Sequence, residues 1–204
     1  MPNIWKRVDI QNTTENVPVY LQTDDECYYA RDYVPYGGWA ASVANSLMEN
    51  FKKEAAKQGT AEWRYKESAI KQLANELTTI LPPNALLCAI PPSKLKTEPD
   101  YDPRFDMLFA ELYSIGWKGE IVEPITCNHS LPAAHLGGTR DPLSLKDNYS
   151  WNGFGDECPE VIYILDDVLT SGGHFRTCKD MILVHCPETN VIGIFFCKTN
   201  HDQG

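Results

Sequence analysis

Val161-Ile162-Tyr163-Ile164-Leu165-Asp166-Asp167-Val168-Leu169-Thr170-Ser171-Gly172-Gly173-His174 is the stretch on which the fold turns. Five apolar residues run into two carboxylates, then into a short turn rich in hydroxyls and glycine, then into a helix-like segment. A continuous apolar run suits a parallel strand buried on both faces. Carboxylates at its C-terminal end stand where ligands bind in open α/β sheets. Thr170 to Gly173 can present backbone N–H groups at a helix start, which favours a phosphate. Acceptors for hydroxyls or Mg²⁺ beside donors for phosphate suit a phosphorylated sugar.

Outward from this stretch the pattern alternates. Ala85 to Ile90 is a short apolar run between prolines and reads as a buried strand. Asp102 and Pro103 can open a helix carrying Phe105, Leu108, Phe109 and Leu112 on one face, with Gly116 as its stop. Gly119 to Pro124 reads as the next strand. A helix from about His174 to Val184 and a strand from Val191 to Cys197 follow the decisive stretch. Strand, helix, strand, long loop, strand, helix, strand predicts an α/β fold with a central, mainly parallel sheet and crossover helices. Upstream, Pro18 to Gln22 and Glu26 to Val34 read as a hairpin about Thr23-Asp24-Asp25. Helices are expected from Ala41 to before Gly59 and from about Ala61 to Thr79. The 204 residues are read as one domain, with a hairpin and helical hood over 1–84 and a core over 85–204.

Composition narrows the function classes. The net charge of -10 disfavours direct binding to DNA. Lys52, Lys53 and Lys57 form the one small basic cluster and read as a solvated helix face. No apolar run approaches the roughly 20 residues of a membrane span, and Met1 to Arg7 does not start a signal peptide. A cytoplasmic protein is therefore expected. Seven cysteines without a CxxC pair give neither a disulfide framework nor a zinc ribbon. Cys88, Cys178 and Cys197 lie in apolar patterns and read as buried thiols.

The stretch 161–174 resembles the phosphoribosyl-pyrophosphate (PRPP) motif of the type I phosphoribosyltransferases. The resemblance implies that Asp166 and Asp167 hold the ribose hydroxyls and Mg²⁺. It implies that Thr170, Ser171, Gly172, Gly173 and His174 hold the 5′-phosphate. His174 departs from the family, which usually has Thr or Ser there. Pro91-Pro92-Ser93-Lys94 stands where the family has its pyrophosphate loop, with Pro92, Ser93 and Lys94 as the contacts. The aperiodic segment Thr126 to Asn152 stands where the family has a flexible loop over PRPP, and Arg140 is the expected pyrophosphate ligand within it. The implied reaction is transfer of the phosphoribosyl group to a nitrogen acceptor with release of pyrophosphate. Thr170 replaces an acidic base found in some purine enzymes of the family, so that base mechanism is not expected. Tyr28, Tyr29, Tyr33, Tyr36 and Trp39, with Phe195 and Phe196, are the aromatics that could meet an acceptor base.

A narrower likeness, to the ComF-like branch, rests on Ala44 to Lys53, Pro91-Pro92-Ser93, Arg104-Phe105-Asp106 and Arg140 with Asn148. That branch's N-terminal cysteine pairs are absent. The resemblance also admits a non-catalytic PRPP or nucleotide sensor, or an accessory protein of DNA uptake or phage defence. Homodimers are common in the family.

Overall fold

The computed structural model describes residues 4–11, 18–131 and 141–200. The strands are β1 (Lys6–Arg7), β2 (Glu26–Tyr33), β3 (Leu86–Ala89), β4 (Glu120–Ile121), β5 (Ile125–Cys127), β6 (Tyr149–Trp151), β7 (Val161–Leu169) and β8 (Asn190–Thr199). The α-helices are α1 (Val43–Phe51), α2 (Trp63–Leu77), α3 (Arg104–Ser114), α4 (Pro142–Asp147) and α5 (Gly173–His185). Six strands form one sheet in the order β1-β2-β8-β7-β3-β4, and β5 with β6 makes a separate pair. Within the large sheet only the β1–β2 pairing is antiparallel. The expected α/β fold with a mainly parallel sheet is what the chain forms.

Two apolar cores sandwich this sheet. On one face Phe51, Leu73, Leu77, Leu108 and Leu112, from α1, α2 and α3, pack with Leu165, Ile194 and Phe196. On the other, Phe175 and Ile182 of α5, Leu145 of α4 and Tyr149 of β6 pack with Ile162, Ile164 and Phe195. The residues of β7 and β8 are apolar almost throughout because both sides are covered.

Connectivity places the functional edge. From β3 the chain crosses by α3 to β4 on one side, and from β7 it crosses by α5 to β8 on the other. β3 and β7 are neighbours, with Leu87 opposite Tyr163 and Ala89 opposite Leu165. Their crossovers diverge, so the sheet's switch point lies at their C-terminal ends, where ligands bind in such sheets.

Three expectations need correction. Pro18 to Gln22 is a turn rather than a strand, so no hairpin forms there. Gln22 N donates to the buried carboxylate of Asp25 (2.7 Å) and Leu21 N to Pro18 O (3.0 Å), which closes the turn locally. β2 instead pairs with β8 over Glu26–Tyr33, so the N-terminal part supplies a strand of the main sheet. Among the described residues, the segment Thr126 to Asn152 is not all open loop. It contains β5, α4 and β6, an arm held by pairing of Ile125–Cys127 with Tyr149–Trp151. Finally, Cys158 and Cys186 form a disulfide, joining residues 28 apart between the β6–β7 connection and the C-cap of α5. No motif spacing marks such a pair, so counting cysteines missed it. Cys88, Cys178 and Cys197 are buried thiols as expected, and burial pushes Cys88 and Cys197 up to about 12.

Candidate functional site at the sheet switch point

β7 runs on to Leu169, four residues beyond the predicted end, so both aspartates lie inside the strand. Consecutive strand residues face opposite ways. The pair therefore divides. Asp167 turns to the α1 and α3 side, where Lys52 Nζ reaches Oδ1 at 2.9 Å and Arg104 Nη2 reaches Oδ2 at 2.8 Å. Asp166 has its electrostatic neighbours Tyr149 and Cys178 on the α5 side, and its Oδ1 accepts from Asp167 N at 2.7 Å.

Their protonation diverges for the same reason. Burial, then the charge of Asp167, pushes Asp166 up to about 7. Burial acts on Asp167 as well, but Lys52 and Arg104 outweigh it and hold that carboxyl below the usual range. Asp166 thus holds a proton more readily than Asp167, which stays a fixed carboxylate.

This split has a pH signature. An unfolded aspartate titrates near 4, below the folded value of Asp166. The folded state then binds the extra proton, so stability falls as pH rises from about 4 to about 7 and stays reduced above it. Asp166→Asn removes that penalty. It is expected to raise stability at pH 8 by about 1–2 kcal/mol, part of the full linkage, and by little at pH 4. Urea unfolding at the two pH values decides it. Equal effects at both, or a loss at pH 8, would refute the split.

After Leu169 the chain enters the glycine-rich turn. Gly172 has φ +81°, and a Cβ there would stand 2.9 Å from Leu21 Cδ2, so turn and packing both require glycine. Ser171 O accepts from Tyr20 N (2.9 Å), and Ser171 Oγ accepts a long bond from Gly173 N (3.5 Å). Gly172 is the N-cap of α5, so the helix starts at the expected place, with the positive end of its dipole at this loop. His174 Nδ1 lies 2.9 Å from the hydroxyl of Tyr149, a residue of the arm.

The second loop leaves β3 next to β7, with Ile90 N donating to Leu165 O at 2.9 Å. It bears Pro92, Ser93 and Lys94. Among the described residues no peptide bond is cis. Ser93 O accepts from Leu131 N (2.7 Å), and Leu95 N donates to Ser130 Oγ (3.0 Å), so this loop is laced to the strand end after β5. Lys94 pairs with Asp100 at 2.9 Å and Glu98 at 3.6 Å, partners within its own loop. Arg140, the expected pyrophosphate ligand, lies outside the described residues.

Sequence reading missed Lys52 and Arg104 as partners of the acidic pair, and Tyr149 altogether. Lys52 belongs to the cluster read as solvated, yet it grips Asp167, while Lys53 and Lys57 pair with Glu62. Arg104 also bonds Asp102 at 2.9 Å, and Asp102 receives the fully buried Lys66 at 2.6 Å. Phe195 and Phe196 are core residues and cannot stack on a ligand. Trp39 is exposed and lines a cavity with Glu49, Asn50, Lys53, Glu62 and Tyr65.

Among the described residues no three His, Cys, Asp or Glu side chains gather as a metal site. Asp166 Oδ2 alone has no hydrogen-bond partner in the pair. Magnesium keeps several waters and takes one or two carboxylates plus substrate phosphates. The donor set therefore fits a magnesium ion that arrives with a phosphorylated ligand rather than one the protein cages.

No protein-family model matches the chain, and no curated protein matches it. Among solved structures the chain is similar to a hypoxanthine phosphoribosyltransferase from Staphylococcus aureus, with a TM-score of 0.35 and 15% identity, over 65% of this chain and 71% of that one. Likeness at that level carries no argument about function, which falls to the residues themselves. Among the described residues no helix is long and apolar enough to cross a membrane.

Proposed function

We propose that the chain binds PRPP with magnesium at the β3–β7 switch point and transfers its phosphoribosyl group to a nitrogen acceptor. One observation carries this reading. The acidic pair, the glycine turn and the start of α5 follow one another in a single strand–loop–helix, beside the loop that leaves β3. In this reading Asp166 accepts hydrogen bonds from the ribose hydroxyls. Asp167 keeps Lys52 and Arg104 at the site. Thr170 to Gly173 and His174 hold the 5′-phosphate with backbone and side-chain donors. Pro92, Ser93 and Lys94, with Arg140, receive the pyrophosphate as the C1–O bond breaks and its electron pair leaves with that group. Asp166 and the phosphates of the ligand would hold magnesium, which would supply positive charge against that of pyrophosphate. Position 170 is a threonine and not an acid, so an N–H acceptor gives its proton to a base elsewhere, or the acceptor reacts through a nitrogen lone pair that carries no proton to lose. Localisation in the cytoplasm and the ComF-like likeness are part of the same proposal.

Calorimetric titration of Mg²⁺–PRPP tests it. The wild type is expected to bind. Asp166→Asn is expected to weaken binding about tenfold or more, as for a lost hydrogen bond to a charged group. Because that substitution does not lower stability in the account above, loss of binding cannot be blamed on unfolding. No binding by the wild type, or equal binding by the variant, would sink the assignment. Binding without pyrophosphate release across a panel of nitrogen acceptors would favour the sensor over the enzyme.

A further inference from the structure

An ammonium has three N–H donors, and those of Lys66 in α2 meet three acceptors from other parts of the chain. Its Nζ donates to Phe51 O (2.8 Å), Lys53 O (2.8 Å) and Asp102 Oδ1 (2.6 Å). Lys66 is fully buried, and the Trp63 ring one turn earlier lies 5.5 Å from its ammonium. Phe51 and Lys53 are the neighbours of Lys52 on either side. Their carbonyls stand at the C-terminal end of α1, where carbonyls lack helical partners and a cation is favoured. Asp102 passes the restraint on. Its Oδ1 also accepts from Arg104 N at 3.1 Å, and its Oδ2 accepts from Arg104 Nη1 at 2.9 Å. Arg104 Nη2 is then the group that reaches Asp167 Oδ2. One buried ammonium thus fixes the main chain on both sides of Lys52 and the carboxylate that aims Arg104.

Lys52 and Arg104 are the two cations on Asp167, and they differ in access. Arg104 has its Nε buried without a hydrogen-bond partner. The Lys52 side chain is 42% exposed, and Asp167 is its one ion-pair partner among the described residues. Its ammonium therefore keeps donors beyond the one that Asp167 takes. We propose that Lys66 is a positioning residue, which sets Lys52 and Arg104 on the two oxygens of Asp167 so that Lys52 donates to a phosphate oxygen of the ligand. This rests on the reading given under Proposed function, that the ligand at this edge is phosphorylated, and it adds Lys52 to the contacts. The charges favour it. Three cations, Lys52, Lys66 and Arg104, stand against two anions, Asp102 and Asp167, so the cluster is cationic on a chain of net charge -10. An apolar side chain at position 66 would fill the space with no charge to desolvate. It could not hold two carbonyls and a carboxylate at once.

The test uses the full chain with Lys66→Met, Lys52→Met, their double variant and Asp102→Asn, each checked for folding by circular dichroism. ¹H–¹⁵N spectra of the arginine Nε–H groups, with Arg104 assigned from an Arg104→Lys spectrum, need no ligand. In wild type the buried Arg104 Nε–H is expected to exchange slowly with water. Lys66→Met is expected to make that exchange fast. Asp102→Asn should do the same without touching the carbonyls of α1. Magnesium pyrophosphate and Mg²⁺–PRPP serve as probes in titrations. Lys66→Met and Lys52→Met are each expected to weaken both about tenfold, the size of one hydrogen bond to a charged group. In the double variant the loss should fall short of the product of the two, because Lys66 acts through Lys52. An unchanged Arg104 signal or unchanged affinity in folded Lys66→Met would make Lys66 a stability residue only and overturn the proposal, as would losses that multiply. If Lys66→Met does not fold, Asp102→Asn decides, and a slow Arg104 signal there overturns it. If wild type binds neither probe while the Arg104 signal responds to Lys66→Met, the positioning of the cations stands and the phosphorylated-ligand reading falls.

Discussion

Asp167→Asn is expected to destabilise the protein by about 3 kcal/mol, the low end of the range for removing one partner of a buried ion pair. Asp167 is 6% exposed, with one cation on each carboxylate oxygen. Asparagine keeps the volume and one acceptor but not the charge. Lys52 can retreat to water, since its side chain is 42% exposed. Arg104 cannot do so as readily. Its Nε is buried without a hydrogen-bond partner, and Asp102, its remaining anion, is shared with the buried Lys66. The effect should depend on pH in the direction opposite to that of Asp166. Asp167 has its folded pKa depressed, so its contribution is full above about 4 and lost as pH falls through its low folded value. Urea unfolding at pH 7 measures the loss through the midpoint at constant slope. A change below about 1 kcal/mol would mean that the triad is solvated and that Lys52 and Arg104 are not fixed by it.

The largest single effect is expected at a residue outside the acidic pair and the glycine turn. Asp25 is 1% exposed and accepts from Gln22 N, Arg176 Nη1 (3.1 Å) and Lys179 Nζ (2.6 Å). Both cations belong to α5, and their side chains are 8% and 7% exposed. Asp25→Ala leaves two buried positive charges facing a vacated carboxylate. Asp180 and Asp24 still reach them from the surface, so the loss is not total. About 4–5 kcal/mol is expected, a large part of the 5–15 kcal/mol that holds an ordinary domain together. In a chain of this size that lowers Tm by roughly 10–15 °C. Thermal unfolding followed by circular dichroism tests it, and a drop under about 3 °C would show that the pair of cations finds water. The same substitution loosens the turn that packs Leu21 against Gly172, so the glycine turn should lose order with it.

These two residues also mark how far the sequence was legible. The parallel sheet could be read because β3, β7 and β8 are short apolar runs separated by helix-period segments. The acid pair and glycine turn were visible as a motif, and the glycine requirement at Gly172 is met in the structure. What failed were pairings between distant charges. Asp25 sits in Thr23-Asp24-Asp25, which has the composition of an exposed turn, yet its partners are 151 and 154 residues away. Lys52 looks like one more lysine on a helix end until β7 places Asp167 beside it. The arm went unseen because β5 and β6 are three residues each, too short for periodicity to show. The disulfide went unseen because nothing local links Cys158 to Cys186.

The central pairing of β2 with β8 joins residues 26–33 to 192–199. During synthesis, β2 leaves the ribosome with no permanent neighbour on that edge. At roughly 5–20 residues per second it waits on the order of 10–30 s for its partner. For that interval a Tyr-rich strand stands open to pairing with another chain. The β2 edge is therefore completed only when β8 arrives, and until then the cost of this topology is borne by the unfinished chain rather than by the finished sheet.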